Sequence, residues 1–252
     1  MRCGGMKNVK YAFSVYLKHF RNFKTCDNRV KDFVCLELGP GDSLFSALIT
    51  YALGGSFCYL IDIDRLATSD VIAYRQMADY LSSQGLPTPK LSDCKRLDDV
   101  LTACHACYGS SGLKSLQTIP SASVDFLFSQ AVLEHVNKNE VYTTMKELHR
   151  ISKKDGICSH SVDLRDHLTG SLNHLRVPEC LWEATGMNRN STNRLRYPDF
   201  LRLFKKTGFT LVRTRRRCWK TLPISKERLS HPYRAYNEND LRVRSFDIVL
   251  KA

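Results

Sequence analysis

Acidic residues are in short supply. The chain sets 25 Asp and Glu against 38 Lys and Arg, a formal net charge of +13. That imbalance makes nucleic acid, an anionic membrane or an acidic substrate eligible partners, and it equally suits a basic cytosolic enzyme. No apolar run approaches the roughly 18 residues that suggest a membrane span. The start, Met1 to Lys7, lacks the apolar stretch of a signal peptide, so a cytoplasmic location is the expectation. Cys104-His105-Ala106-Cys107 has no second pair at zinc-site spacing, so no metal is assigned to it. The ten cysteines, among them Cys35, Cys58 and Cys158 in apolar surroundings, read as reduced and mostly buried thiols. With 43% hydrophobic and 25% charged residues, the 252-residue chain reads as one soluble globular domain with a small insertion or cap.

The most informative stretch is Phe33 to Asp42. Val34, Leu36 and Leu38 are apolar and end in Gly39-Pro40-Gly41, the pattern of a buried strand running into a turn. Ser43 is placed to cap a helix that begins at Leu44-Phe45. Glycines without Cβ atoms let a ligand approach bare backbone, and in open α/β sheets ligands sit at the carboxyl ends of strands. A dinucleotide is disfavoured, because Glu37 would repel a pyrophosphate and Leu44 stands where the third glycine of that fingerprint belongs. A second buried strand, Phe57 to Ile61, ends in Asp62-Ile63-Asp64. In this architecture a carboxylate at that point, Asp62, accepts the ribose hydroxyls of an adenosine ligand. The competing reading is that Asp62 or Asp64 caps the next helix.

Around these two turns the rest of the chain is ordered as follows. Residues 1–32 are basic and aromatic. Phe13, Tyr16, Leu17 and Phe20 fit a helix over the sheet or the ligand site, although Val9, Tyr11, Phe13 and Val15 alternate like a strand. An amphipathic helix carries Val71, Tyr74, Met77, Ala78 and Leu81 and stops at Gly85. Residues 86–123 show no clean strand. Val124 to Phe128 is a buried strand that runs into Ser129-Gln130-Ala131-Val132-Leu133-Glu134-His135. Lys153 to Gly156 reads as a turn into a fifth strand, Ile157 to Val162. Residues 163–196 have no strong period and read as a lid. A helix with Pro198 in its first turn stops at Gly208, and Phe209 to Val212 and Phe246 to Leu250 read as two late strands.

Glu37-x-Gly39-x-Gly41, Asp62 at the second strand end and the Ser129 to His135 stretch together resemble the class I S-adenosylmethionine (SAM)-dependent methyltransferases, in particular the methyltransferase type 11 group. The resemblance spans roughly residues 33–252. It implies an α/β, Rossmann-like three-layer sandwich on a mostly parallel seven-stranded sheet of order 3-2-1-4-5-7-6, with the last strand antiparallel. SAM is the implied cofactor, held by Glu37, Gly39, Pro40, Gly41, Asp62, Ile63, Ser129 and Gln130. Ser43 stands in for a frequent third glycine, which tightens the turn. Within the motif, His135 more often orients loop backbone than touches substrate. Stretches at 37–43, 129–135, 162–167 and 192–196 resemble a subgroup associated with bacterial surface-polysaccharide or secondary-metabolite genes.

The resemblance makes a methyl transferase of the chain, with a small-molecule acceptor, a hydroxyl on a sugar or secondary metabolite, as the expectation. A hydroxyl acceptor benefits from a general base. Asp163, Asp166 and His167 are the candidates at the right sheet edge, with His135 and His160 behind them. Arg194 and Arg196 suit an anionic substrate, because arginine grips phosphate or carboxylate bidentately. The Asn/Asp-Pro-Pro-aromatic run of base N-methyltransferases is absent after strand four. Two alternatives stand beside this reading: an RNA-directed methyltransferase using Arg213, Arg215, Arg216 and Arg217, and a non-catalytic SAM-binding scaffold.

Overall fold

The computed structural model describes residues 5–26, 31–184 and 192–252. Seven strands form one sheet: β1 (Val34–Leu38), β2 (Phe57–Ile61), β3 (Ala106–Gly109), β4 (Val124–Gln130), β5 (Ser152–Asp163), β6 (Thr210–Cys218) and β7 (Val243–Lys251). Their order is β3-β2-β1-β4-β5-β7-β6, the order the resemblance implies. β1 pairs in parallel with β2 and β4, and β2 with β3. β7 runs the other way. Asp155 N donates to Ala252 O while Leu164 N donates to Arg244 O, so the partner number falls as the β5 number rises. Contacts divide the chain into two compact units, residues 1–130 with 147–159 and 251–252, and residues 131–146 with 160–250.

In the first unit, helix α1 (Val9–Cys26) buries Ala12, Val15, Tyr16, His19, Phe20 and Phe23, a stripe at three- and four-residue spacing. The helical reading of the N-terminal segment therefore holds. The stripe packs on β4, with Phe23 stacked on Phe126 at 5.1 Å and Tyr16 edge-on to Phe128 at 5.3 Å. The two polar groups in that stripe are paired. Tyr16 Oη and Thr50 Oγ1 are 2.8 Å apart, and His19 Nδ1 lies 2.7 Å from Ser159 Oγ.

Helix α2 (Phe45–Ala52) is buried nearly all round, as its composition predicts. Ser43 does not cap it: the N-cap position belongs to Leu44, and Ser43 Oγ donates instead to Met6 O at 2.7 Å. Helix α3 (Val71–Ser83) is capped by Asp70, whose Oδ1 accepts from Ile72 N. That removes helix capping as the explanation of Asp62. After α4 (Leu97–Ala103) comes β3, which the sequence hides because it is four residues long and rich in small residues. The Cys104–Cys107 pair straddles its start. Cys104 is buried, with its thiol pushed up to about 12 by desolvation, and Cys107 is exposed. Helix α5 (Leu113–Gln117) leads into β4, and α6 (Val141–Ile151) follows it. β5 begins earlier than the turn at Lys153 to Gly156 suggests, because Asp155 and Gly156 already pair with the chain end at Ala252.

In the second unit, α7 (Glu179–Ala184) is followed by α8 (Tyr197–Lys206), whose Pro198 sits in the first turn. Phe200 of α8 packs on Phe246 of β7 at 5.6 Å. β6 runs through Cys218, so Arg213 to Arg217 lie on an edge strand rather than after it. Between β6 and β7 the chain inserts two short helices, α9 (His231–Arg234) and α10 (Glu238–Leu241). Leu172 and Leu175 join Leu229, Tyr233 and Leu241 in a small core there. The stretch expected to be a lid is thus partly anchored by apolar burial. Its residues 185–191 lie outside the described residues.

Candidate functional site

Three strand ends converge in the first unit. Beyond β1 the chain turns through Gly39 and Gly41, with φ of 71° and 69°. Those are left-handed values that cost a residue with a Cβ roughly 1–2 kcal/mol. The turn is tied to β2 twice, as Gly39 N donates to Ile61 O at 2.7 Å and Gly41 N to Asp62 Oδ2 at 3.0 Å. Asp62 Oδ1 accepts from Ile63 N at 2.8 Å. The backbone of Asp62 is clamped by the loop after β3, with Asp62 N donating to Gly109 O and Gly112 N to Asp62 O. Asp62 is mostly buried, and desolvation raises its carboxyl pKa against the two amides that lower it. A Cβ placed on Gly41 meets no atom of the described residues within 4 Å, so among them the turn faces open space. Ile63, next in line, is 79% exposed, an apolar side chain on the same rim.

Glu37 lies one residue inside β1, paired across to Leu60 and Phe128. It is buried, and among the described residues its Oε2 has no hydrogen-bond partner. Burial pushes its carboxyl up to about 8, with a hydrogen bond from Ser46 pulling the other way. Asp42, in the turn, is buried, and its Oδ1 likewise has no partner among the described residues. Sequence reasoning gave Asp42 no role, although it stands in the quoted motif. At the end of β4, Ser129 is buried, and Gln130 Oε1 lies 3.2 Å from His19 Nε2 and 3.4 Å from Lys18 Nζ, which donates to it. That contact from α1 was legible only as a histidine on the apolar face of a basic helix.

A second group of candidates lies in the second unit. Ala131 adopts φ of 55° just past β4, an uncommon conformation for a residue with a Cβ. Glu134 Oε1 accepts from Asp163 N at 3.0 Å, while Asn193 Nδ2 donates to Leu133 O and Val136 O at 2.8 and 3.0 Å. Glu134 and Asn193 therefore organise the loop. His135, to which the sequence reading gave that role, meets His167 edge-on, with ring centroids 4.7 Å apart. Burial pushes the Glu134 carboxyl up to about 8, and its Oε2 has no partner among the described residues.

The candidate bases separate. Burial raises Asp163, but the Arg165 guanidinium at 2.7 Å and the Arg165 amide outweigh it and hold the carboxyl below its ordinary range. Asp166 accepts from Thr169 N and Oγ1, Leu168 N, Ser171 N and Asn173 N, so its carboxylate is consumed by its own loop. Both are poor proton acceptors in this setting. His167 is exposed.

The two substrate-binding arginines also turn inward. Arg194 Nη2 reaches Glu179 Oε2 at 2.9 Å, Nε donates to Tyr233 Oη and Nη1 to Val177 O. Its guanidinium lies 4.8 and 5.0 Å from the Trp182 and Tyr233 ring centroids. Arg196 is 0% exposed and donates to the carbonyls of Leu164, Leu241 and Val243. Their expected role as anion clamps is corrected, because both guanidiniums are buried and their Nη groups are spent on protein partners.

Residues 95–159 match a family model described as a methyltransferase domain. A SAM-dependent methyltransferase from Mesorhizobium loti superposes with a TM-score of 0.51 at 15% identity, covering 93% of this chain and 97% of that one. The fold is that of the class I SAM-dependent methyltransferases. A SAM-dependent methyltransferase from Archaeoglobus fulgidus gives 0.52 at 14% identity over 97% and 95% of the chains. Phosphoethanolamine N-methyltransferase 2 from Haemonchus contortus, in complex with SAM, gives 0.52 at 11% identity over 94% of this chain and 52% of that one. No curated protein sequence matches. Within this methyltransferase fold, the residues at the three strand ends suit an adenosine-bearing, cationic cofactor. The turn is open at Gly41, Asp62 presents a fixed carboxylate, and the buried Glu37 carries an oxygen without a partner among the described residues.

Proposed function

We propose that the protein transfers a methyl group from SAM to a small-molecule acceptor, with a hydroxyl as the receiving atom. The observation that carries this is the tie between Asp62 and Gly41 at the open end of β1, beside the unpartnered oxygen of Glu37. Gly39, Pro40 and Gly41 give the cofactor bare backbone, Asp62 takes its ribose hydroxyls and Ile63 offers an apolar face to its purine. Glu37, Ser129 and Gln130 supply polar groups towards its amino-acid end. The cofactor supplies the electrophilic methyl group when bound. What the chain contributes is orientation and a group to receive the acceptor's proton. Of the candidates for that group, Asp163 is ion-paired and Asp166 is spent on its loop, which leaves His167 assigned to it.

The acceptor need not be anionic, because Arg194 and Arg196 are turned inward. The RNA-directed alternative draws on the β6 arginines. Of these, Arg217 pairs with Asp247 at 2.6 Å and Arg216 lies over the Tyr197 ring. Calorimetric titration with S-adenosylhomocysteine, followed by turnover of SAM against hydroxyl acceptors, tests the proposal. Binding without turnover on any acceptor favours the scaffold reading, and turnover only with RNA, falling steeply with salt, favours the RNA-directed one.

A further inference from the structure

Glu134, His135 and His167 each bring one ligand atom to a common point, all within 4.8 Å of one another. Two independent features mark this point. The first is the donor set: two imidazoles and a carboxylate suit a divalent first-row transition metal rather than magnesium or calcium. The second is the state of Glu134. Its Oε1 is held by Asp163 N, but its Oε2 is buried and has no hydrogen-bond partner among the described residues. Buried polar atoms in folded proteins are nearly always satisfied, and an orphan asks for a partner. A cation on Oε2 is such a partner.

We infer that Glu134, His135 and His167 form a binding site for a divalent transition metal, with Zn2+ the preferred ion. Ligand atoms about 2.0–2.1 Å from a tetrahedral zinc lie roughly 3.4 Å apart. Any pair of ligand atoms that stands near the 4.8 Å limit must therefore close up on binding. His167 is exposed and carries that movement, while Glu134 is fixed by the loop around it. The Asp163 amide that holds Glu134 acts as the outer partner that orients a ligating carboxylate. Three protein ligands leave a fourth position open to water or another small ligand. Binding does not depend on the methyl-transfer reading. One consequence does: a metal on His167 occupies the nitrogen assigned there to proton acceptance, so metal-loaded protein loses activity towards hydroxyl acceptors.

The test is titration of the full chain with Co2+ followed by visible and near-ultraviolet spectroscopy, with Zn2+ as the displacing ion. Exposed Cys26, Cys107, Cys180 and Cys218 compete for metal, and the spectrum separates them. The expected result is one equivalent bound, with d–d bands and no thiolate-to-cobalt charge transfer, displaced by Zn2+. His167→Ala, at an exposed position, lowers the affinity at least tenfold. Glu134→Gln serves as a second variant, with its folding checked by circular dichroism. No metal bound by the folded native chain, affinity unchanged by His167→Ala, or a spectrum dominated by thiolate bands would each overturn the site. Loss of activity on hydroxyl acceptors is read separately, so failure of the methyl-transfer reading leaves the binding result standing.

Discussion

Asp62 Oδ2 accepts the amide proton of Gly41 across 3.0 Å, fixing the end of β2 to the turn that leaves β1. The same carboxylate accepts from Ile63 N through its other oxygen. Two amides hold the group still without using all of its lone pairs, since an ionised carboxylate has about four acceptor sites. Asp62 is therefore oriented in advance for donors arriving from a ligand. Hydrogen bonds to a charged group contribute about 1.5–3 kcal/mol each. Asp62→Ala is expected to weaken S-adenosylhomocysteine binding by at least tenfold in calorimetry, with the protein still folded. Binding within twofold of the native chain would show that Asp62 holds only the turn.

Gly41 separates backbone strain from ligand contact. Its φ of 69° disfavours any side chain, and a Cβ there meets nothing among the described residues within 4 Å. Gly41→Ala should cost about 1–2 kcal/mol in denaturant unfolding, from the left-handed conformation alone. Cofactor affinity is expected to fall by a larger factor than that strain implies, because the methyl group projects into the space a ligand would use. If affinity and stability fall by equal free energies, the open side of the turn is not a binding surface.

The turn after β1 and the acid closing β2 were legible in sequence because local rules specify them. A strand period running into Gly39-Pro40-Gly41 and an acid closing the next strand leave few alternatives. What was not legible depended on contacts distant in sequence. β3 is only four residues and is defined by pairing with β2. Asp166 reads as a candidate base until its carboxylate is seen to accept from Thr169, Ser171 and Asn173. Arg196 reads as a substrate clamp until its carbonyl partners appear at 164, 241 and 243. Charged side chains announce chemistry in a sequence, but only their partners decide whether they face a ligand or the protein.

Glu37 gives the protein a pH signature. Its folded-state pKa of about 8 stands above the ordinary value of 4.5. The native state therefore holds a proton that the unfolded chain releases across that interval. Stability from this group is fully present below about pH 4.5 and is lost as pH rises through about 8. Glu37→Gln is neutral throughout and removes this share. Native and variant should have similar stability near pH 5, and by pH 9 the variant should be the more stable by up to a few kcal/mol. Glu134, also raised to about 8, leaves a residual slope in both. Chemical denaturation at several pH values checks this, and parallel stability profiles would mean that Glu37 is already ionised in the folded state.

Arg196 tests the correction made to the substrate site. It is wholly buried, its Nη1 donates to Leu164 O at 2.7 Å, and its Nη2 reaches Leu241 O and Val243 O at 3.1 and 2.6 Å. Desolvation pulls its pKa down to about 10, so it stays charged at neutral pH. One planar cation thus joins the start of the 163–196 stretch to the end of the β6–β7 insertion. Arg196→Ala strands three carbonyls and opens a cavity, and the expected destabilisation is about 3–5 kcal/mol. Arg196→Lys keeps the charge but has no planar fork to span three acceptors, so it should recover only part of that loss. A substrate clamp predicts the opposite pattern: near-native stability, with a raised KM for the acceptor. Thermal unfolding of the two variants beside the native protein decides between them, because a buried strut and an anion grip move different observables.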